Sequence, residues 1–340
     1  MKKQVDVLVT GGAGFIGSHL VESLASQGLE ILVIDNLSVG RKVTIDKLLA
    51  AYSRLSFELF DVAFDDFNSL KNIYTFGPDI KIVHLAARAD IVPSIEDPTL
   101  YFDANVVGTQ RLLEFARQLN CKRFIYAASS SCYGIPAEYP TKEDARISCE
   151  YPYALTKYLG EELVTHYSKI FNLSAISLRF FNVYGPRART SGTYGAVFGV
   201  FLGQKFNDLP LTIVGDGEQT RDFTFVTDVA DAIVASLSVP HPELPADIRF
   251  NIGSGKTISV NEVARLISDQ FVYIPKRPGE PDCTFADFSK FTALTGWTPK
   301  VNIREGVSRL LEASDDWKDS PAWTPESIEE ATRSWFEYLS

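Results

Sequence analysis

The sequence predicts an α/β fold, a doubly wound parallel sheet with a smaller α/β region appended. Three observations lead there. Short apolar runs recur at 5–10, 30–35, 55–60, 80–86, 123–129 and 174–179, with helical patterns between them. The first run leads straight into a glycine-rich turn, Gly11-Gly12-Ala13-Gly14-Phe15-Ile16-Gly17. The second ends on an acid, Asp35.

Val5–Thr10 is unbroken enough in its apolar residues to read as a parallel strand buried on both faces. Gly11, Gly14 and Gly17 suit a tight turn, close approach to a diphosphate, and tight helix packing. The periodicity of Ser18–Leu24 places a helix behind them, whose N-terminus favours an anion. The next strand, 30–34, delivers Asp35 about twenty residues beyond the glycines, where a carboxylate binds the adenosine ribose 2′-hydroxyl. Its charge would repel a 2′-phosphate, so NAD is expected rather than NADP. Helical patterns cover 104–119 and 153–170. In the second, Tyr153 and Lys157 are four apart and share one face. A free tyrosine has a pKa of about 10. A neighbouring ammonium lowers it, so Tyr153 could shuttle a proton from a hydroxyl. Beyond Tyr184 the pattern becomes irregular, but Val226–Leu237 reads as a helix and Ile248–Ile252 as a strand. The tail opens on Thr324-Pro325-Glu326, a cap followed by proline. Ile328, Ala331, Trp335 and Leu339 then fall on one face of an expected packed helix.

At 340 residues, with 45% hydrophobic and 22% charged residues, the composition is that of a soluble globular protein with one large or two smaller domains. A net charge of −10 argues against a nucleic-acid surface. Cys121, Cys132, Cys149 and Cys283 lack paired or metal-ligand spacing, so no metal is expected and reduced thiols in the cytoplasm are. Neither a signal peptide nor a membrane-spanning run is read.

Together these features resemble the extended short-chain dehydrogenase/reductase superfamily, specifically its nucleotide-sugar epimerases and dehydratases. The resemblance runs through T-G-G-A-G-F-I-G at 10–17, D-N-L-S-V-G at 35–40, H-L-A-A at 84–87, N-V-x-G-T at 105–109 and S-S-S-C-Y-G at 129–134. It continues in Y-A-L-T-K at 153–157, R-F-F-N-V-Y-G-P at 179–186, G-D-G-E-Q-T-R-D-F at 215–223 and R-P-G-E at 277–280. It implies a Rossmann NAD-binding domain over 1–183, completed by about 224–253. Residues 184–340 would mainly bind the sugar nucleotide, with the ligand in the crevice between them.

The resemblance also implies roles. Ser129 would bond the sugar 4-hydroxyl, Tyr153 would take its proton, and Lys157 would hold the nicotinamide ribose while a hydride passes from C4 to NAD⁺. On the cofactor side it adds Phe15, Ile16, Asn36, Ser38, Gly40, Asp61, Val62, Leu85, Ala86, Ala87, Asn105 (a structural residue as well) and Phe181. On the substrate side it adds Ser130, Asn182, Ala196, Val197, Arg221, Arg277 and Thr284. His84 is expected to pack within a strand, and Cys132 to be a small buried strand-end residue.

Related 4,6-dehydratases carry Asp-Glu directly after the triad hydroxyl, and uronate decarboxylases generally keep the Glu. Here Ser130 and Ser131 stand there and offer no carboxyl. The implied reaction is therefore 4-epimerisation: oxidation at C4, rotation of the keto sugar, and hydride return to its other face. Thr284, where glucose/galactose epimerases often place tyrosine, leaves room for a 2-acetamido group. The segment 192–197 resembles a loop of N-acetylhexosamine epimerases. A UDP-N-acetylhexosamine or UDP-hexose is the expected substrate, and a homodimer through the 104–119 and 153–170 helices the expected assembly. UDP-glucuronate epimerisation, and dehydration or decarboxylation of an NDP-sugar, stand as alternatives. A non-enzymatic redox-sensing or RNA-associated Rossmann protein is a third, weakened by the intact Tyr/Lys pair and the acidic balance.

Overall fold

The structure is a computed structural model that describes residues 2–188, 197–240, 244–245, 247–313, 317 and 320–339. Seven parallel strands form the central sheet: β1 (Lys3–Thr10), β2 (Ile31–Asp35), β3 (Leu55–Leu59), β4 (Tyr74–His84), β5 (Arg123–Ser129), β6 (Ala175–Phe180) and, returning late in the chain, Arg249–Ile252. Their order is Arg249–Ile252, β6, β5, β4, β1, β2, β3. The order reverses between β1 and β4, so the connections on either side of that point leave to opposite faces. There a crevice opens at the carboxyl ends of the strands.

Alternation within each strand feeds two cores. Val7, Val9, Val33 and Ile125 pack under helices Phe15–Ser26 and Val226–Ser238. Leu8, Leu32, Ile82 and Phe124 pack under Gly108–Gln118 and Pro152–Phe171. Successive side chains on opposite faces are the period-two signature of a strand, here with both faces covered. A third core holds the smaller region, where Phe198, Phe201, Ile213, Phe225, Val263, Leu310 and Trp317 meet. Strand Phe271–Ile274 pairs in parallel with Leu211–Val214 there. Helix Val260–Ile267 starts on a capping box of Ser259 and Glu262, which satisfies two otherwise unpaired backbone donors.

Three expectations needed correction. The strand read at 80–86 spans Tyr74–His84, leaving Leu85 and Ala86 beyond its carboxyl end. The pattern at 104–119 is not one helix: a π turn, Asp103–Val107, precedes α-helix Gly108–Gln118. Residues in that wider turn serve tertiary contacts, Asn105 above all. The tail breaks at Thr332 into Pro325–Ala331 and Arg333–Tyr338. The Thr332 hydroxyl bonds back to the Ile328 carbonyl, a local alternative to the helical ladder.

One buried ion pair ties the sheet to the helix bearing Tyr153 and Lys157. Arg179 on β6 meets Glu161 with Nε–Oε2 at 2.9 Å and Nη2–Oε1 at 2.5 Å, both side chains fully buried. Arg179 Nη1 also donates to the Tyr133 hydroxyl (2.7 Å) and the Glu143 carbonyl (3.0 Å). Glu161→Gln would leave the guanidinium uncompensated in an apolar setting. It should cost about 3–5 kcal/mol of unfolding free energy in a denaturant titration. An unchanged midpoint and slope would show that the pair carries no such weight.

Candidate active site

The carboxyl ends of β1, β2, β4 and β5 carry the residues expected on the cofactor side and the candidate catalytic Ser129. Gly11 follows β1 with φ +69°, the left-handed region that suits glycine. A Cβ there would fall 2.6 Å from the Ala86 nitrogen, and one on Gly17 would fall 2.1 Å from the Gly11 oxygen. Side chains at either position would push apart the β1 turn, the segment after β4 and helix Phe15–Ser26. Leu85 N bonds the Thr10 carbonyl and Ala86 N the Thr10 hydroxyl, which fixes that segment over the turn. Ala87 follows it, partly buried. The helix begins at Gly14 without a side-chain cap, so its first turn carries amide donors for a diphosphate.

Asp35 closes the adenosine side. Its carboxylate accepts from Ala13 N (3.0 Å) and Leu37 N (2.8 Å), which orients both oxygens and leaves each a further lone pair. Gly40 packs so closely that a Cβ would come within 2.9 Å of both oxygens. Asn36 donates to Asp61 and accepts from Ser38 N, joining the three residues in one loop system. Val62 is buried, and a Cβ on Gly108 would fall 2.7 Å from its Cγ2. Phe15 and Ile16 begin the helix and lean on the third core. These residues fit NAD: a glycine cradle a Cβ would fill, an uncapped helix start and an oriented carboxylate.

Two residues expected on the cofactor side are engaged within the protein. Asn105 spends both amide hydrogens inside the protein, on the Arg88 carbonyl and the Thr156 hydroxyl, and its oxygen accepts from Arg88 N. Its side chain is a clamp between the segment after β4 and the Tyr153 helix. Phe181 is buried with Cys132, Tyr133 and Ala286.

Ser129 ends β5 and caps the short 3₁₀ turn Ser130–Tyr133, accepting from Ser131 N. The Tyr153 hydroxyl donates to Ser129 Oγ at 3.2 Å, so the sheet and the helix bring the two proposed proton-handling groups together. Ser130 lies beside them, partly buried. Tyr153 N is held by Ser94 Oγ (3.1 Å), and Tyr151 stacks parallel to Tyr153 with ring centres 6.4 Å apart. Lys157 is buried, its ammonium 4.3 Å from the centre of the Tyr126 ring.

Electrostatics depart from the simplest expectation for this pair. Burial raises the Tyr153 pKa, the Ser129 hydrogen bond opposes that, and the charge of Asp90 adds to the rise. Tyr153 sits deep in the crevice yet keeps part of its surface accessible. The expected lowering by Lys157 is not among the influences on it. Burial instead drives Lys157 down to about 7, with Glu161 acting the other way. Burial and the Lys157 charge push His84 to about 3, which keeps it neutral between Thr10 and Thr109. It is a packing residue. Cys132 lies in the 3₁₀ turn and not at a strand end; burial raises its thiol to about 12, far from a reactive thiolate.

Substrate-side candidates gather across the crevice. Thr284 Oγ1 donates to Asn182 Oδ1 (2.7 Å) and accepts from Asp222 N (3.1 Å). Arg221 Nη2 meets Glu280 at 2.9 Å and Arg277 Nη1 meets it at 3.9 Å. Val197 opens helix Val197–Phe206, whereas Ala196 and 192–195 lie outside the described residues. Sequence reasoning misses Ser94 and Asp90, which reach Tyr153 only through folding, and Tyr151, two residues before it, whose stacking spacing alone does not show. It also assigns nothing to Glu280, although R-P-G-E contains it.

The profile of the NAD dependent epimerase/dehydratase family matches residues 7–253, and the chain belongs to that family. Among similar proteins, the UDP-glucose 4-epimerase of Mycolicibacterium smegmatis is 34% identical over 314 residues, 90% of this chain and 97% of that one. The UDP-N-acetylglucosamine 4-epimerase of Methanobrevibacter ruminantium M1, solved with UDP-N-acetylmuramic acid, superposes with a TM-score of 0.81. It is 30% identical and covers 92% of this chain and 99% of its own. The UDP-glucuronic acid 4-epimerase of Bacillus cereus, solved with UDP-glucuronic acid and NAD, gives 0.78 at 32% identity, covering 92% and 98%. Decarboxylases and a dehydratase of nucleotide sugars are also among the similar proteins. Among the described residues, no helix is long and apolar enough to cross a membrane.

The Lys157 shift has a consequence for stability. Its folded pKa of about 7 lies below its ordinary 10.5, so between those values the unfolded chain binds the extra proton. The burial penalty is full below pH 7 and fades as pH rises toward 10.5. Lys157→Met should therefore gain stability over the parent at pH 6. The gap should narrow by pH 10 when both are unfolded by denaturant in the same cofactor state. A gap that widens with pH would reverse the assigned sign.

Proposed function

We propose that this protein is a nucleotide-sugar 4-epimerase acting on a UDP-N-acetylhexosamine or a UDP-hexose. The observation that carries the reading is the 3.2 Å contact between Tyr153 and Ser129, flanked by Ser130 and Ser131 where elimination would need carboxylates. NAD, when bound, supplies the hydride acceptor and later the donor. Ser129 holds the sugar 4-oxygen, and Tyr153 takes its proton as the carbonyl forms and returns it at the end. Lys157 orients the nicotinamide ribose from the same helix face as Tyr153. Asp35 selects the unphosphorylated adenosine ribose. Arg221 and Arg277 grip the diphosphate, with guanidinium forks matched to its oxygens. The named activities of similar epimerases support the reaction class. The domain division follows the same logic: 1–183 with 224–253 for the cofactor, and most of 184–340 for the sugar nucleotide. A two-fold homodimer belongs to this reading, supported by exposed Leu155 and Ile170 on the Tyr153 helix.

Two other readings have a specific motive. UDP-glucuronate is the activity named for one similar structure. Elimination chemistry is named for other similar proteins, a UDP-glucuronic acid decarboxylase and an NDP-hexosamine 5,6-dehydratase. A panel of UDP-sugars followed by NMR separates all three: an epimer appears, a uronate epimer appears, or water or CO₂ is lost.

In the epimerase reading Tyr153→Phe should lower turnover at least about 100-fold while UDP-sugar still binds. The purified parent should carry NAD(H) and release no stoichiometric NADH. Near-normal turnover in a folded Tyr153→Phe protein, or steady NADH accumulation in the parent, would reject the reading.

Thr284 should set substrate range. Tyrosine there would fill space beside sugar C2 and forgo the hydroxyl contacts to Asn182 and Asp222. Overpacking of that kind costs about 1–3 kcal/mol. Thr284→Tyr should thus cut kcat/KM for an N-acetylated sugar nucleotide roughly ten- to a hundredfold more than for the plain hexose. Equal losses on both substrates would reduce the effect to a general defect and reopen the choice of sugar.

A further inference from the structure

The last helix of the chain, Arg333–Tyr338, returns to the crevice although it lies far beyond residue 253, where the family match ends. Trp335 is buried at its centre and touches both walls. Its indole nitrogen donates to the Pro278 carbonyl at 2.7 Å, inside the R-P-G-E turn. Its ring lies 5.6 Å from the Arg277 guanidinium carbon. On the other side its ring centre is 6.3 Å from that of Tyr151, the residue stacked on Tyr153. The neighbouring Ser334 donates to Glu96 at 3.0 Å, on the helix whose Ser94 holds Tyr153 N.

Arg277 is drawn both to a carboxylate and to the indole. Glu280 stands 3.9 Å away and also pairs with Arg221, so one carboxylate draws two guanidinium groups. An arginine held mainly by that carboxylate would be drawn from a ligand's phosphates. An indole face attracts the cation through its π system and does not itself take up an N–H donor. The Pro278 hydrogen bond keeps the indole from swinging away.

We infer that Trp335 is a positioning residue for substrate binding: it holds the Arg277 guanidinium for the diphosphate of a nucleoside-diphosphate sugar. The C-terminal helix is thereby a working wall of the substrate crevice, bridging the R-P-G-E turn to the Tyr151–Tyr153 stack. This rests on the reading of Arg277 as a diphosphate ligand, and the test separates the two.

UDP is titrated calorimetrically into the purified, NAD-loaded full chain as parent, Trp335→Ala, Trp335→Phe, Arg277→Ala and the Trp335→Ala/Arg277→Ala double variant. Loss of a partly buried cation–aromatic contact predicts about three- to thirtyfold weaker UDP binding in Trp335→Ala. Trp335→Phe, which keeps an aromatic face, should recover most of it. In turnover, KM for the sugar nucleotide should rise much more than kcat falls, with bound NAD unchanged. In the Arg277→Ala background Trp335→Ala should cost nothing further, because the effect passes through that guanidinium. Parent-like UDP affinity in Trp335→Ala overturns the inference, as does an equal loss with Arg277 absent. Arg277→Ala with unchanged UDP affinity removes the diphosphate role of Arg277 and the inference with it.

Discussion

The buried pair between Glu161 and Arg179 is the constraint on which the active geometry depends. Glu161 lies one helical turn beyond Lys157 and two beyond Tyr153, so the three share a face. Holding Glu161 in two hydrogen bonds fixes both the rotation and the axial position of that helix against β6. A buried ion pair is a poor source of net stability, because desolvating two charges offsets most of their attraction. What a bidentate pair supplies is geometry. The hydrogen bond from Tyr153 to Ser129 tolerates little displacement, and the two residues arrive from a helix and a strand with no local connection.

The same guanidinium extends the constraint across the molecule. Arg179 reaches Tyr133, Tyr133 donates to Asn251 at 2.7 Å, and Asn251 donates to the Thr141 carbonyl at 2.9 Å. Thr141 N in turn bonds the Phe285 carbonyl, next to Thr284. A chain of satisfied buried polar groups therefore runs from the Tyr153 helix to the segment holding Thr284. Such networks are costly when any member is left unpaired, which makes their geometry well specified. Asp222 works alongside it. Its buried carboxylate accepts from Ser254 and from Ala286 N, which pulls the 215–223 and 283–287 segments together.

The crevice follows from backbone proximity as much as from side chains. Gly11, Gly17 and Gly40 are positions where a methyl group would collide with backbone or with the Asp35 carboxylate. Removing those side chains brings donors and carboxylate close enough to serve one extended ligand. Lys157 is the counterweight: a cation forced inside, with Glu161 nearby offsetting part of the cost of its burial. His84 stays neutral beside it, so the local positive charge is concentrated on a single group.

Much of this was legible before any coordinates. Unbroken apolar runs, glycine spacing and the acid at the end of β2 are local properties of a parallel sheet with its first turn. Each element follows from the period of its own residues. The i, i+4 spacing of Tyr153 and Lys157 likewise fixes their common face through helix geometry alone. The π turn, the break at Thr332 and the full occupation of Asn105 were not legible. Asn105 meets Arg88 and Thr156 only through folding, and apolar spacing does not distinguish a π turn, or a side-chain bond such as Thr332 to Ile328, from a regular helix. The electrostatics were only half legible, since spacing shows that Lys157 is near Tyr153 but not that burial acts more strongly than charge on both. Local sequence thus determined the elements and the identity of the chemical groups. The tertiary structure decided their distances, their burial and the reach of Trp335 to Arg277, because those depend on contacts between segments that sequence spacing does not encode.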